Sequence, residues 1–193
     1  MPSNKLTREK IIDGALKLTQ SSGMGNFSLR ELAQSLDVKP ASLYNHFAGF
    51  MQIQEEVALR IAKMLNGVLK EAAEGKDRDD AFIDAAMAYR RFADEHQGLY
   101  MALIRMPASN DDIIVKAARD SYAPMRKIIK SFGKDKISTL HFLRSFRAAT
   151  HGFVELTANH FMQMGIATKD ETYEVMIHAF LNTLKGLPDN EEI

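Results

Sequence analysis

The stretch "SLRELAQSLDVKPASLYNHF", Ser28–Phe47, contains two short helical patterns that are separated by barely a turn. Ser28 and Glu31 form the sequence pattern of a capping box, which predicts the start of the first helix. Pro40 suits the first turn of the second helix, because the N–H group that proline lacks has no helical partner there. This spacing is typical of a helix-turn-helix, whose second helix enters the major groove of DNA. Taken alone, the spacing also fits a small helical hairpin at a domain edge.

The turn and the crossing point of the two helices set the geometry of the pair. Ala33 is small enough for the helices to approach each other closely, while Val38 and Leu43 supply apolar contacts. Asp37 stands where the tight turn needs a left-handed backbone, which aspartate adopts less readily than glycine.

The second helix is too short and too polar to be a core helix. Ser42 and Asn45 can donate hydrogen bonds to base edges or phosphates, and Tyr44 and His46 can donate to phosphate oxygens. The predicted DNA contacts are Ser28, Arg30, Lys39, Pro40, Ala41, Ser42, Tyr44, Asn45 and His46.

The segment from Ile11 to Phe47 resembles the N-terminal domain of the tetracycline-repressor (TetR) family of transcriptional regulators. Its ending "LYNHF" is highly specific in this context. The segment departs from the family at Asp37, which replaces the usual turn glycine, and at Ala48–Ile53, which lacks a phosphate-contacting lysine. The matching positions are Ile11, Ala15, Leu18, Gly23, Ser28, Leu32, Ala33, Val38, Leu43, Tyr44, His46 and Phe47.

The resemblance implies a homodimer that binds a palindromic double-stranded DNA operator and has an all-helical C-terminal domain. It also implies a small-molecule effector in that domain. The effector favours a dimer in which the spacing of the two recognition (reading) helices no longer fits the operator. The alternative is a helical interaction or scaffolding protein whose N-terminal hairpin does not read DNA. Salt-dependent binding to a palindromic DNA fragment separates the two hypotheses.

The composition is that of an ordinary soluble protein: 193 residues, 46% hydrophobic and 26% charged, with a net charge of zero and no cysteine. No apolar run approaches the roughly 18 residues of a membrane span, and the polar N-terminus does not resemble a signal peptide. We therefore expect a cytoplasmic protein without membrane contact. Residues 1–50 carry six basic and four acidic side chains, a net charge of +2 that suits a DNA-binding segment.

The remaining chain shows only helical periodicity, which predicts an all-α fold. We expect a three-helix DNA-binding domain at residues 1–50 and a helical effector-binding and dimerisation domain at 51–193. A helix from about 51 to 74 connects them. Further helices are predicted at about 80–95, 96–105, 111–132, 136–164 and 169–185, and Pro124 should kink or split the third of these.

The helix predicted at 136–164 carries two adjacent apolar stripes, so it must contact more than one neighbour. One stripe can face the core and the other a second copy of the chain, together with a stripe on the last helix. The alternative is that both stripes are buried within one subunit. The predicted dimer contacts are Phe153, Leu156, His160, Tyr173, Ile177, Phe180 and Leu184.

"RSFRAATHGFVEL" partly resembles a TetR subgroup with a Trp-His-Gly C-terminal domain. His151 and Gly152 match, whereas Arg147 stands at the tryptophan position. A glycine within a helix destabilises it by up to about 1 kcal/mol relative to alanine, so Gly152 predicts a close approach of another helix.

Methionine and aromatic side chains in the body can line a plastic apolar pocket, because methionine adapts to varied shapes. They can equally be ordinary core residues. No cluster of arginine and lysine marks a phosphate site in this part of the sequence, so we expect an uncharged or weakly polar effector. The predicted pocket residues are Met87, Tyr89, Phe92, Met101, Leu103, Met106, Tyr122, Met125 and His151.

Catalytic and metal-binding motifs are absent from the sequence. Its six histidines form no HExxH pattern, and there is no nucleophile elbow, phosphate-binding loop or dinucleotide-binding glycine motif. The sequence thus predicts a protein without catalytic residues, metal or cofactor.

Overall fold

A computed structural model of the chain describes residues 5–163 and 165–189. Over these residues the chain is all-α, as predicted, with one 3-10 turn at Met106–Ala108 between α6 and α7. The helices are α1 (Arg8–Ser22), α2 (Leu29–Ser35), α3 (Pro40–Tyr44), α4 (Phe50–Ala73), α5 (Arg78–Glu95), α6 (Gln97–Arg105), α7 (Asp112–Ser121), α8 (Ala123–Lys130), α9 (Lys136–Ala158) and α10 (Lys169–Gly186). None of the helices in this described part is long and apolar enough to cross a membrane.

Proline and capping residues decide where several helices begin and end. Pro124 lies in the first turn of α8 and separates it from α7, which confirms the predicted split. Thr168 and Glu171 form a complete capping box at the start of α10. Asp135 caps α9 by accepting the backbone N–H groups of Ile137 and Ser138. The side-chain hydrogen bond from Ser138, followed by these backbone bonds, lowers the pKa of its carboxyl.

The predicted end of α9 was wrong, because the helix stops at Ala158 and not at residue 164, which lies outside the described residues. His160 adopts a left-handed backbone with φ 62°. Its N–H donates to the Thr157 carbonyl at 3.1 Å, and the Phe161 N–H donates to the Leu156 carbonyl at 2.9 Å. This pair of bonds is a Schellman motif, which ends a helix by satisfying its last carbonyls.

The chain forms two compact units, each assembled from separate stretches of sequence. Unit 1 combines Met1–Met64 with His96–Ser121, and unit 2 combines Leu65–Glu95 with Tyr122–Ile193. Helices α6 and α7 therefore cluster with the N-terminal helices, and the domain boundary at residue 50 stays a prediction.

The core of unit 2 is aromatic and is built where α5, α9 and α10 meet. Phe82 and Phe146 have ring centroids 5.2 Å apart, and Phe180 lies 5.2 Å from Phe146. The Tyr173 hydroxyl donates to the Ala86 carbonyl at 3.0 Å. Phe82 and Phe146 are almost completely buried at the centre of this unit.

Most of the predicted dimer contacts belong to this core. Phe153, Tyr173, Ile177 and Leu184 are buried within the chain itself, so they supply no free surface for a second copy. The physical reason is that the buried stripe of α10 packs on α5 and α9 of its own unit. The remaining three predicted contacts differ from these: Leu156 is exposed, Phe180 is half-buried, and His160 is exposed beyond the end of α9.

Candidate nucleic-acid interface

Helix α2 begins with the predicted capping box. The Ser28 hydroxyl accepts from the Glu31 N–H at 3.2 Å, and the Glu31 carboxylate accepts from the Ser28 N–H at 2.7 Å. The hydrogen bonds that Ser28 donates to this carboxylate, the backbone bond first and the side-chain bond second, lower the pKa of Glu31. The Ser28 hydroxyl donates its only proton to the same carboxylate at 2.8 Å, which leaves Ser28 no side-chain donor for a phosphate.

The turn between α2 and α3 is set by Asp37, which adopts the left-handed backbone that its position requires, with φ 54°. The Asp37 N–H donates to the Gln34 carbonyl at 3.1 Å, and the Val38 N–H donates to the Ala33 carbonyl at 3.0 Å. Ala33 is completely buried at the crossing of the helices. An aspartate thus closes the same type of turn that glycine closes elsewhere.

Helix α3 presents a polar outer face on an anchored inner face. Leu43 and the following Phe47 are buried. Tyr44 is 58% exposed, so its hydroxyl is available to a ligand outside the chain. Among the other predicted contacts, Arg30, Lys39, Pro40, Ala41 and Asn45 are exposed, and Ser42 and His46 are half-buried.

Helix α3 is shorter than predicted, because Tyr44 is its last residue and Asn45 is its C-cap. Asn45 and His46 therefore lie in the turn after the helix. The N–H groups of His46 and Phe47 both donate to the Leu43 carbonyl, at 2.9 and 3.0 Å, which holds this turn against the helix.

Arg8 is a structural contact that the sequence reasoning missed. Its guanidinium donates to the backbone carbonyl of His46 and forms an ion pair with Glu56 of α4. The same group lies 4.1 Å from the centroid of the Phe47 ring. The Arg8 side chain of α1 thus links the turn after α3 to α4. These residues are brought together only in the folded chain.

Helix α6 is attached to α1 by a very close contact. The Leu99 N–H donates to Gln20 Oε1 at 3.1 Å. Gly98 lies directly over the Gln20 backbone: a Cβ atom at residue 98 would be 2.6 Å from the Gln20 carbonyl carbon. The glycine therefore has a packing role in unit 1.

Of the nine predicted pocket residues, six belong to unit 2 and three belong to unit 1. In unit 2, Tyr89, Phe92, Tyr122 and Met125 are buried, and Met87 and His151 are half-buried. In unit 1, Leu103 is buried, whereas Met101 and Met106 line a cavity of about 270 Å³.

Tyr122 is unusual because its hydroxyl is buried and has no hydrogen-bond partner among the described residues. Burial, followed by the nearby Tyr89 and Tyr173, raises the pKa of Tyr122, while Arg147 opposes this shift. An unsatisfied buried hydroxyl costs roughly 1–3 kcal/mol of folding free energy. Tyr122 therefore marks a polar defect in an apolar core.

Basic residues that are separate in the sequence of the body lie together in the fold. Lys70, Lys76, Arg78 and Lys127 line one open groove of about 330 Å³ in unit 2. They come from the end of α4, the turn before α5, the start of α5 and α8, which is why the sequence shows no cluster. Lys76 is paired with Asp84, and the Arg78 guanidinium lies over a phenylalanine ring.

Metal-binding geometry is not found in the part of the chain that the structure describes: no three of its histidine, aspartate or glutamate side chains are grouped so that they could hold an ion. Gly152 differs from its prediction, since apart from its chain neighbours and its own helix backbone no atom of the described residues lies within 4 Å of a Cβ built on it.

Comparisons with known proteins match both the N-terminal and the C-terminal part of the chain to the same family. The family model described as "Bacterial regulatory proteins, tetR family" matches residues 11–49, and "Tetracyclin repressor-like, C-terminal domain" matches residues 82–180. An uncharacterized HTH-type transcriptional regulator of Mycobacterium tuberculosis is 36% identical over 153 residues, which are 79% of this chain and 70% of the relative. A second such regulator, from Bacillus subtilis, is 27% identical over 99% of this chain and 97% of its own.

A solved structure shares the fold. It is a protein of unknown function from Rhodococcus sp. RHA1, with a TM-score of 0.81 and 21% sequence identity over 96% of this chain and 99% of that chain. At this identity the likeness concerns the fold alone.

Proposed function

The chain belongs to the TetR family of DNA-binding transcriptional regulators, and on that premise we propose that it is a cytoplasmic, non-enzymatic repressor that acts as a homodimer. It binds a palindromic operator through two copies of α3 that enter successive major grooves. An uncharged or weakly polar small molecule releases it from the operator.

The observation that carries this proposal is the exposed polar face of α3. Tyr44 and Asn45 point away from the packed side that Leu43 and Phe47 form. Lys39 adds an exposed charge directly before the helix. Such a face has no role in the core of unit 1, and its hydroxyl, amide and ammonium groups are those that contact phosphates and base edges.

The test begins by selecting a DNA duplex from a random-sequence pool with the full-length protein. Binding is then measured by fluorescence anisotropy at several salt concentrations. Lys39→Gln should weaken binding and reduce the salt slope by about two, as expected for one lost phosphate contact in each half-site of the dimer. Lys136→Gln removes another exposed lysine, at the start of α9, and should leave the slope unchanged.

Tyr44→Phe tests the hydroxyl of the reading face. The loss of one phosphate hydrogen bond in each half-site should weaken binding of the dimer by about 2 kcal/mol, about 1 kcal/mol per bond, without a change in unfolding temperature. If neither Lys39→Gln nor Tyr44→Phe alters binding, α3 is not the reading helix. If no duplex is enriched by the wild-type protein, the scaffolding hypothesis takes the place of this proposal.

Helices α9 and α10 pack on each other in unit 2. The proposed dimer forms through the outer faces of these two helices. Leu140 and Leu156 are each 44% exposed on α9, and Val175 is 69% exposed on α10. The open space above Gly152 leaves room for a helix of a second copy. Isologous contacts of this kind are usual in two-fold dimers.

Leu156→Glu should convert the dimer into monomers in sedimentation velocity, because it places a charge in the proposed seam. Binding to the palindromic duplex should fall with it, since the two half-sites are no longer linked. Leu59→Glu changes another exposed leucine, on α4, and should remain dimeric. A dimeric Leu156→Glu variant would assign the interface to a different face.

A further inference from the structure

The open groove of about 330 Å³ in unit 2 carries an excess of positive charge. We call it the basic groove. Its walls come from the end of α4, the turn before α5, the start of α5, and α8. Four cations line it, Lys70, Lys76, Arg78 and Lys127, and Glu74 is the one acid among its described lining residues.

Two of these four cations have acidic partners within the fold. Lys76 forms an ion pair with Asp84, and the Nε atom of Arg78 lies 3.9 Å from a carboxylate oxygen of Asp79. Asp79 also pairs with Lys185 of α10, so it compensates the charge of Arg78 only in part.

Lys70 and Lys127 are the uncompensated cations of the basic groove. Both side chains are exposed, and neither forms an ion pair within the described part of the chain. Each lies in the last turn of its helix, where a cation also stabilises the helix end. This local role explains the charge at each position, but it does not explain the apolar residues that line the same groove.

The apolar lining consists of Ala73, Ala81, Pro124 and Ile128, from α4, α5 and α8. Ala81 is buried, and the other three side chains are half-buried. Apolar surface beside uncompensated cations is complementary to a ligand that is both apolar and acidic. None of the described lining residues is aromatic. This disfavours single-stranded nucleic acid, whose bases bind by stacking on aromatic side chains.

The open form of the basic groove favours a segment of another protein over a small molecule. Small-molecule sites enclose most of the surface of their ligand, whereas this groove is open to solvent. Peptide segments bind in surface grooves by placing apolar side chains against the floor, and acidic motifs pair with basic residues on the protein.

We propose that the basic groove is a docking site for an acidic, amphipathic segment of a partner protein. Apolar side chains of this segment pack on Pro124 and Ile128, and its carboxylates pair with Lys70 and Lys127. Ion pairs at a protein surface are weak and are screened by salt. We therefore expect a transient complex whose affinity falls as the salt concentration rises. The docking site goes beyond the proposed reading of DNA and requires neither an operator nor an effector.

The test uses a short synthetic peptide of glutamate and leucine, labelled with rhodamine, and the full-length protein. Fluorescence anisotropy should show saturable binding that weakens as salt is added. The double variant Lys70→Gln, Lys127→Gln should weaken this binding by roughly three- to tenfold. Lys130→Gln is the matched control, because Lys130 is exposed on α8 but does not line the groove. It should change the affinity by less than about twofold.

The apolar part of the groove is tested separately. Ile128→Ala should weaken binding of the same peptide by roughly threefold or more, because less apolar surface is buried. Ile137→Ala changes an isoleucine that is 69% exposed on α9 and should leave the affinity unchanged. Circular dichroism and the unfolding temperature show whether each variant folds. If Ile128→Ala does not fold, the lysine variants decide the proposal, since both lysines are exposed.

The charge of the peptide provides the decisive comparison. A peptide with glutamine in place of every glutamate should bind more weakly, and its binding should not depend on salt. The proposal is overturned if both peptides bind equally well, if the wild type does not bind the acidic peptide saturably, or if the double lysine variant binds it as tightly as the wild type.

Labelled oligothymidylate tests whether the groove binds nucleic acid instead. If it binds the wild type more tightly than the acidic peptide does, and the double lysine variant loses this binding, the groove is a nucleic-acid surface and the proposal is wrong. Equal oligothymidylate binding by the wild type and the double variant would support the proposal. None of these titrations uses the operator, so their outcome is independent of the proposed function.

Discussion

Replacing Gly98 with alanine provides a sharp test of the contact between α1 and α6. A Cβ atom at residue 98 would lie 2.6 Å from the Gln20 carbonyl carbon and 2.7 Å from its Cα, and nearer still to its carbonyl oxygen. Carbon atoms in packed proteins prefer separations of about 3.5–4.0 Å. Helix α6 must therefore retreat from α1 by about 1 Å. The atoms in the way belong to the backbone, so no side-chain rotation relieves the clash.

The magnitude follows from three contributions. Overpacking of this kind destabilises the folded state by about 1–3 kcal/mol. The retreat also stretches the hydrogen bond from the Leu99 N–H to Gln20, which contributes about 1 kcal/mol. Alanine favours a helix over glycine by about 0.5–1 kcal/mol. We expect a net loss of about 1–3 kcal/mol, which lowers the unfolding temperature of a chain of this size by roughly 2–12 °C.

Differential scanning calorimetry measures the change, with Gly67→Ala as the matched control. Gly67 is exposed within α4, and apart from its chain neighbours and its own helix backbone no atom of the described residues lies within 4 Å of a Cβ built on it. The same substitution there should raise stability by about 0.5–1 kcal/mol. The two variants share the change in helix propensity, so their difference isolates the close approach. A Gly98→Ala variant as stable as Gly67→Ala would refute the argument.

Three further predictions concern single side chains. Arg8→Met should lower the free energy of unfolding by about 1 kcal/mol, and it should weaken DNA binding by a larger free energy, because the turn after α3 loses its link to α4. Arg8→Lys should restore little of either loss, since lysine lacks the planar guanidinium. Denaturation measures the stability of these variants, and fluorescence anisotropy measures their DNA binding. Tyr122→Phe should raise stability by about 1–2 kcal/mol by removing a hydroxyl without a partner, whereas Tyr173→Phe should lower it by about 1 kcal/mol because that hydroxyl is bonded. A loss of stability in Tyr122→Phe would show that its hydroxyl has a partner. Glu31 has a lowered pKa in the folded state, because Ser28 donates to it. The carboxylate of Glu31 therefore stabilises the fold above its ordinary pKa of 4.5, and this stabilisation is lost as the pH falls through the lower pKa of the folded state. The difference in stability between the wild type and Glu31→Ala, measured by urea titration, should close at acid pH.

Local chemistry made the reading module predictable from the sequence. The capping box at Ser28, the turn at Asp37 and the proline at the start of α3 are each recognised over a few neighbouring residues. Pro124 predicted its helix break for the same reason. In each case the deciding interaction lies within one or two turns of the residue concerned, so no knowledge of the packed fold is needed.

The prediction failed where the deciding contact is remote in sequence. Arg8 meets His46 and Glu56 only after α1, α3 and α4 have packed. An apolar stripe such as that of Tyr173 and Ile177 predicts that these side chains are buried. The periodicity does not predict whether the surface that covers them belongs to the same chain or to a second copy. Here it belongs to the same chain.

The end of α9 illustrates a different difficulty. Its left-handed terminal residue is His160, although glycine is the usual residue there and is the one that sequence patterns recognise. The apolar periodicity continues to Phe161, past the last helical residue. The hydrogen bonds of the Schellman motif ended the helix against that pattern.

The division of unit 1 into two stretches of chain affects its synthesis on the ribosome. At 5–20 residues per second, residue 121 is made roughly 3–11 s after residue 64. During that interval α1 lacks the helix that packs on Gln20, and Met24 of the loop after α1 and Met51 of α4 lack their facing wall. A chain shortened to end at Met64 would keep that incomplete state permanently. Transplanting the reading helices onto another protein therefore requires residues 97–121 to be carried with them.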